Sequence, residues 1–220
     1  MVGERRSRIP ALLALLLASS CVTPRGVVDP ELMAVGERHD ALVTSDALED
    51  LIDRGVDSPA DRAYAYRVIR EEKEESAAYA FARAAVTGRL VQQRGLRAAG
   101  LVKEVESWAL VSQALDPDFR NGAATRLLGT LYVSAPATFL EHGDSEQGLD
   151  LLEQLVEAHP DVIENQLRLA EGYIALGDPD PAVSHLCTCL ARREELRRDD
   201  QRLLDQLMIT AGSPDCENPD

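Results

Sequence analysis

The chain has 220 residues, with 23 Lys and Arg against 38 Asp and Glu, for a formal net charge of −15. So acidic a chain excludes nucleic acid as a partner, because phosphate contacts need clustered Lys and Arg. A hydrophobic content of 45% excludes wholesale disorder, and an aromatic content of only 4% disfavours a large β-sandwich and favours helices built on Ala and Leu.

The first element is an address rather than part of the fold. Arg5, Arg6 and Arg8 precede an uncharged apolar run over 9–18, which ends at Ser19, Ser20 and Cys21. A basic segment, a short apolar run and small residues before a cleavage point make a secretory signal, and the run is too short for a membrane-spanning helix. Leu17-Ala18-Ser19-Ser20-Cys21 resembles the lipobox of bacterial lipoproteins, with Ala18 where Leu is commonest. That resemblance implies acylation of Cys21, cleavage before it, and a cell-envelope location facing the periplasm, at the outer rather than the inner membrane. Cleavage at Cys21 leaves 200 residues at −17. Such a body is held clear of an anionic leaflet rather than drawn flat onto it.

Residues 21–44 are read as a lipid-anchored tether with one short helix, which starts at Asp29-Pro30 and runs to about Arg38. A helical domain is expected over 45–212 and a tail over 213–220. Ser45-Asp46 is the expected cap of a helix ending at Gly55, and Ser58-Pro59 opens the next. The charged stretch over 71–75 belongs at a turn or on an outer face. Apolar stripes follow at Ala78, Phe81, Ala82, Ala85 and Val86, and then at Leu101, Val105, Trp108, Val111 and Leu115. Asn121-Gly122 reads as a helix start or a turn, because no alternating runs flank it.

The C-terminal half carries an internal repeat. Gly143-Asp144 and Gly177-Asp178 lie 34 residues apart, and at the same offset Leu152 matches Leu186 and Gly148 matches Ala182. Leu128-Gly129 with Tyr132, Leu169-Ala170 with Tyr173, and Pro117 and Pro160 complete the pattern. These residues resemble the tetratricopeptide repeat. The resemblance implies an all-α, irregular array of helical hairpins of about eight or nine helices, with a long loop between Tyr132 and Asp144. Small residues in such an array let paired helices touch, and large ones fill the gaps between hairpins.

Residues 127–133 (LLGTLYV), Ala135-Pro136, Gly143-Asp144, His159-Pro160-Asp161, Asn165 and Leu169-Ala170-Glu171 are similar to the lipoprotein T-component family associated with TRAP transporters. That likeness implies a periplasmic binding component. Its partners would be a solute-binding protein of the transporter and a hydrophobic small molecule. A scaffold for envelope assembly, with no transport role, is the alternative, and self-association into a homo-oligomer is compatible with either.

No chemistry-bearing motif accompanies this organisation. His39, His142, His159 and His185 are scattered without metal-ligand spacing, and no nucleophile elbow, phosphate-binding loop or dinucleotide-binding glycine pattern occurs. The chain reads as a non-enzyme with no cofactor, no catalytic residues and no metal site. Trp108, Tyr132, Phe139 and Tyr173 are candidate groove residues, with core packing the commoner role for aromatics at helical spacing.

Cys187 and Cys189 point about 200° apart on one helix, so they do not chelate together. An antiparallel helix from Asp199-Asp200 to Ala211-Gly212 would return the chain beside Cys187 and bring Cys216 within reach of one of them. Cys187 is favoured, because Cys189 falls at a small-residue core position of the repeat.

Overall fold

The computed structural model describes residues 26–216. The expected signal over 1–20, the expected acylation site Cys21 and residues 217–220 of the expected tail lie outside it. Ten α-helices, three short 3-10 turns and no strand occur among the described residues. The helices are α1 (Pro30–Gly36), α2 (Ala41–Arg54), α3 (Pro59–Glu71), α4 (Ala77–Arg94), α5 (Ala99–Leu115), α6 (Ala123–Ser134), α7 (Ser145–Ala158), α8 (Ile163–Ala175), α9 (Ala182–Ala191) and α10 (Arg198–Thr210).

Local chemistry sets most of these boundaries. The Asp29 carboxylate accepts from the backbone N–H groups of Glu31 and Leu32, with Pro30 in the first turn of α1. At α3, Ser58 and Asp61 cap each other reciprocally. Asp61 also accepts from the backbone N–H of Asp29 at 2.7 Å, which ties the starts of α1 and α3 together.

One expected start is corrected. α2 begins at Ala41, capped by Asp40, whose carboxylate accepts from the Val43 N–H. Ser45 is instead buried within α2, and Asp46 reaches out of the same helix to Arg120. Asp40 and Ser45 are both cap-type residues, five apart, and the earlier one lengthens the helix by more than a full turn. α2 therefore belongs to the helical body, and a boundary at 44/45 cuts through it.

Before α6 the backbone is left-handed at three successive residues, with φ of +49° at Arg120, +56° at Asn121 and +76° at Gly122. Asn tolerates this region and Gly prefers it, but Arg does not. A side chain at Gly122 would also strike Leu155, since a Cβ there lies 2.3 Å from Leu155 Cδ1.

The helices stack as hairpins, α4 with α5, α6 with α7, and α8 with α9. The even-numbered helices also touch in succession: α2 meets α4, α4 meets α6, α6 meets α8, α8 meets α10, and α10 returns to α2. Five helices thus close an inner ring, with α3, α5, α7 and α9 outside it. The core lies between the two layers. Leu128, Leu152, Leu167, Leu186 and Leu204 are fully buried there. Of the residues at the 34-residue offset, Leu152 and Leu186 both lie in the core and Gly148 and Ala182 are both buried, whereas Asp144 caps α7 and Asp178 lies in the turn before α9, whose first residue follows Pro181.

The ring is held shut by charge as well as by packing. Arg197, at the start of α10, lies 3.1 Å from Glu49 of α2, and the Arg198 N–H donates to Asp53 Oδ1 at 2.7 Å. A disulfide joins Cys187 to Cys216 across 29 residues and returns the tail to α9. Cys189 is a free, buried thiol.

Candidate functional site

The inner ring borders a cavity, open to solvent on part of its surface, of about 790 Å³, within the range of about 300–1,000 Å³ usual for small-molecule sites. Its walls come from a second stripe on each inner helix, offset from the core stripe. In α6 this stripe is Ala123, Leu127, Thr130 and Ser134; in α8 it is Glu164, Arg168 and Glu171; in α4 it is Phe81, Ala85, Gly88 and Gln92. The spacing i, i+4, i+7 keeps each set on one helical face.

The two sides of the cavity differ in kind. α4, α5, the C-terminal half of α6 and the turn after it supply Ala85, Val102, Val105, Leu131, Pro136 and Phe139. α2, α8 and α10 supply Asp46, Glu49, Glu164, Arg168, Glu171, Arg197 and Asp200, joined by Arg89, Arg120 and Arg126. One side is therefore apolar and the other densely charged.

Most of these charges are paired. Arg89 donates to both Glu49 oxygens, at 2.7 and 2.5 Å, and lies 3.1 Å from Asp199. Burial pulls its guanidinium pKa down, but the Glu49 hydrogen bond and the Glu49 and Asp199 charges hold it above the ordinary arginine value. Arg120 grips Asp46 with both terminal nitrogens, at 2.7 and 2.6 Å, and that hydrogen bond raises it. Arg168 binds Asp200, and Glu171 at 2.9 Å. Burial, with Asp199 alongside, lifts the Asp200 carboxyl above the usual carboxylate range despite Arg168.

Arg126 is different. Its one hydrogen bond runs from Nη1 to Asn165 Oδ1, at 2.7 Å. Burial holds its guanidinium below the ordinary value; Arg168 reinforces this and Glu164 opposes it.

Of the four candidate groove aromatics, Phe139 lines the cavity and the other three pack elsewhere. Trp108 meets Tyr79 edge-on, with ring centroids 5.5 Å apart, and stacks beneath Arg83 at 4.8 Å. Tyr132 is core, 2% exposed, where burial and the charge of Glu106 hold its phenol above the ordinary value. Tyr173 lies between α7 and α9, donating to Glu153 and stacking on His185. A large ring is the most effective core filler in a chain with so few of them, and these three went to the interlayer core.

The loop between Tyr132 and Asp144 does form part of the cavity wall, through Pro136 and Phe139. Buried Glu106 holds it, accepting from the backbone N–H groups of Glu141 and His142 at 2.7 and 2.8 Å. In the C-terminal third, Arg192 pairs with Glu195, Arg193 with Asp205, and Arg197 with Glu49.

The charged side was missed in sequence because its members come from five separate helices. The second i, i+4, i+7 stripe in α6 and α8 is the signal that would have found it. Among the described residues no group of three His, Cys, Asp or Glu is placed to hold a metal ion, and no helix is long and apolar enough to cross a membrane. Compared with family models and with curated proteins, the chain matches none. The arrangement offers an amphipathic cavity open to solvent on part of its surface.

Proposed function

We propose that the protein is an exported, lipid-anchored binding component whose helical-hairpin array takes up a small amphipathic molecule, in the manner of the TRAP-associated T components that its sequence resembles. The cavity of about 790 Å³ inside the inner ring, apolar on one side and charged on the other, carries the reading. Cys21, behind its basic and apolar leader, supplies the anchor, and the membrane would be that of the cell envelope. The acidic body would remain free to meet a solute-binding partner. Binding, not catalysis, is the role, because the charged groups on the cavity wall serve mainly to neutralise one another.

Purification of the full chain from detergent-solubilised envelopes, followed by native mass spectrometry, tests the reading. Acylation lost on Cys21→Ser, together with a non-covalent small-molecule adduct released by denaturation, is the expected result. A chain without any adduct that brings down large envelope complexes would replace this reading with the scaffold alternative.

A further inference from the structure

We propose that Arg126 is the head-group anchor of the cavity, and that the ligand it selects is an amphiphile with a single negative charge, a monocarboxylate. The proposal rests on the reading of the ring as a small-molecule site.

Five arginines line the cavity, and four of them, Arg89, Arg120, Arg168 and Arg197, have a carboxylate within 4.0 Å. Arg126 has none among the described residues, and its only hydrogen-bond partner is the Asn165 amide oxygen. An amide oxygen orients a guanidinium without neutralising it. The guanidinium carries a fork of five N–H donors suited to a carboxylate, and here one arm is engaged.

The orientation is built into the fold. Asn165 is fully buried, and with its oxygen given to Arg126 its Nδ2 is left buried without a partner. Buried amides are rarely left half-satisfied. At this position the unsatisfied nitrogen accompanies a guanidinium fixed at the cavity wall.

The charge balance limits the head to one negative charge. The wall carries five arginines and five carboxylates, namely Asp46, Glu49, Glu164, Glu171 and Asp200. Glu49 serves two arginines and Arg168 serves two carboxylates, so Arg126 and Glu164 are left without a direct ion pair. Glu164 and Asp200 act on Arg126 through space without touching it. A dianionic phosphate would bring a second charge against those two acids. From Arg126, the lining along α6 runs through Leu127, Thr130, Leu131 and Ser134 to Pro136 and Phe139, so apolar side chains outnumber the two hydroxyls. A carboxylate at Arg126 thus places an alkyl chain on the apolar side.

Isothermal titration calorimetry on the full chain in phosphatidylcholine nanodiscs, with empty nanodiscs as blank, tests this with three ten-carbon probes: decanoate, decan-1-ol and decyl phosphate. Decanoate is expected to bind at least tenfold more tightly than decan-1-ol, and decyl phosphate no more tightly than decanoate. Arg126→Gln should bring decanoate down to the affinity of decan-1-ol and leave decan-1-ol unchanged, which also shows that the variant folds. Equal binding of decanoate and decan-1-ol by the parent chain, or equal weakening of both by Arg126→Gln, overturns the anchor and leaves the cavity reading standing. Tenfold tighter decyl phosphate overturns the single-charge assignment. No binding of any probe overturns the cavity reading itself.

Discussion

Gly129 of α6 and Gly148 of α7 face each other at the closest approach of their hairpin. A Cβ on Gly129 would lie 3.0 Å from the Gly148 carbonyl oxygen, and one on Gly148 would lie 2.9 Å from the Gly129 carbonyl oxygen. Both added atoms would meet backbone, which cannot rotate away as a side-chain tip can. Gly129→Ala and Gly148→Ala should each destabilise the protein by about 1–3 kcal/mol, the range for overpacking a tight contact. Gly88, in mid-α4, has nothing within 4 Å of its added Cβ. Gly88→Ala should therefore stabilise by up to about 1 kcal/mol through helix propensity alone. Urea denaturation of the three variants checks this; a Gly88→Ala variant that loses as much as Gly148→Ala would contradict the packing account.

Closure of the ring depends on Glu49, which accepts from Arg89 and lies 3.1 Å from Arg197. The two contacts are unequal in solvent: the Arg89 side chain is 20% exposed and that of Arg197 is 42% exposed. A charged hydrogen bond sheltered from water contributes about 1.5–3 kcal/mol, and an exposed pair at most about 1 kcal/mol. Glu49→Ala should thus cost about 2–3 kcal/mol, nearly all of it shared with Arg89. Arg197→Ala should cost less than about 1 kcal/mol and nothing measurable in 1 M salt, where screening is nearly complete. Double-mutant cycles between Glu49 and each arginine measure the split. Stronger coupling to Arg197 than to Arg89 would mean that the closing contact at α10, not the α2–α4 contact, stabilises the ring.

What was legible in the sequence follows from the range of the forces involved. The starts of α1 and α3 could be read because Asp29-Pro30 and Ser58-Pro59 act within one turn. Ser45-Asp46 misled because a cap is defined by the helix it opens. Asp40 came first and carried Ser45 into the interior. The partners of Arg126 and Asp46 lie 39 and 74 residues away, at Asn165 and Arg120, and no local pattern announces them. Cys216 could be placed, because two short antiparallel helices fix where a tail returns.

The disulfide and the remaining thiol should behave oppositely. Closing a loop of 29 residues contributes about 3–4 kcal/mol on the chain-entropy model, so reductant should lower the unfolding free energy by that much and the urea midpoint in proportion. Burial pushes the Cys189 thiol up from 9.0 to about 12. Iodoacetamide at neutral pH, without reductant, should therefore leave Cys189 unmodified until the chain unfolds. The pH dependence has a definite sign. Between pH 9 and about 12 the unfolded thiol has lost its proton while the folded one keeps it, so stability falls as pH rises through that window. Cys189→Ala should make this alkaline slope shallower, the remainder coming from the raised phenols of Tyr66, Tyr132 and Tyr173. Rapid labelling of the native protein would place Cys189 at the surface and defeat the prediction.

Glu106 should govern the turn that carries Phe139. Its buried carboxylate accepts from the backbone N–H groups of Glu141 and His142, and its charge acts on the Tyr132 hydroxyl. Burial, and then the charge of Glu106, hold the Tyr132 phenol above its ordinary value. The turn is also held sterically, since a Cβ on Gly143 would lie 2.2 Å from the Tyr132 ring. Glu106→Gln keeps the volume but presents an N–H₂ group where donors already point, so one backbone N–H loses its acceptor. The expected cost is about 2–3 kcal/mol, and it should be local. Tyr132→Phe removes only the hydroxyl and should cost about 1 kcal/mol or less, because both backbone N–H groups keep the carboxylate. Hydrogen exchange resolves the two: Glu106→Gln should lose protection over 137–144, with α8 and α9 unchanged, and should bind decanoate more weakly because the Phe139 side of the cavity is no longer held. Uniform loss of protection across all ten helices would make Glu106 a general core residue instead of the fastening of this turn.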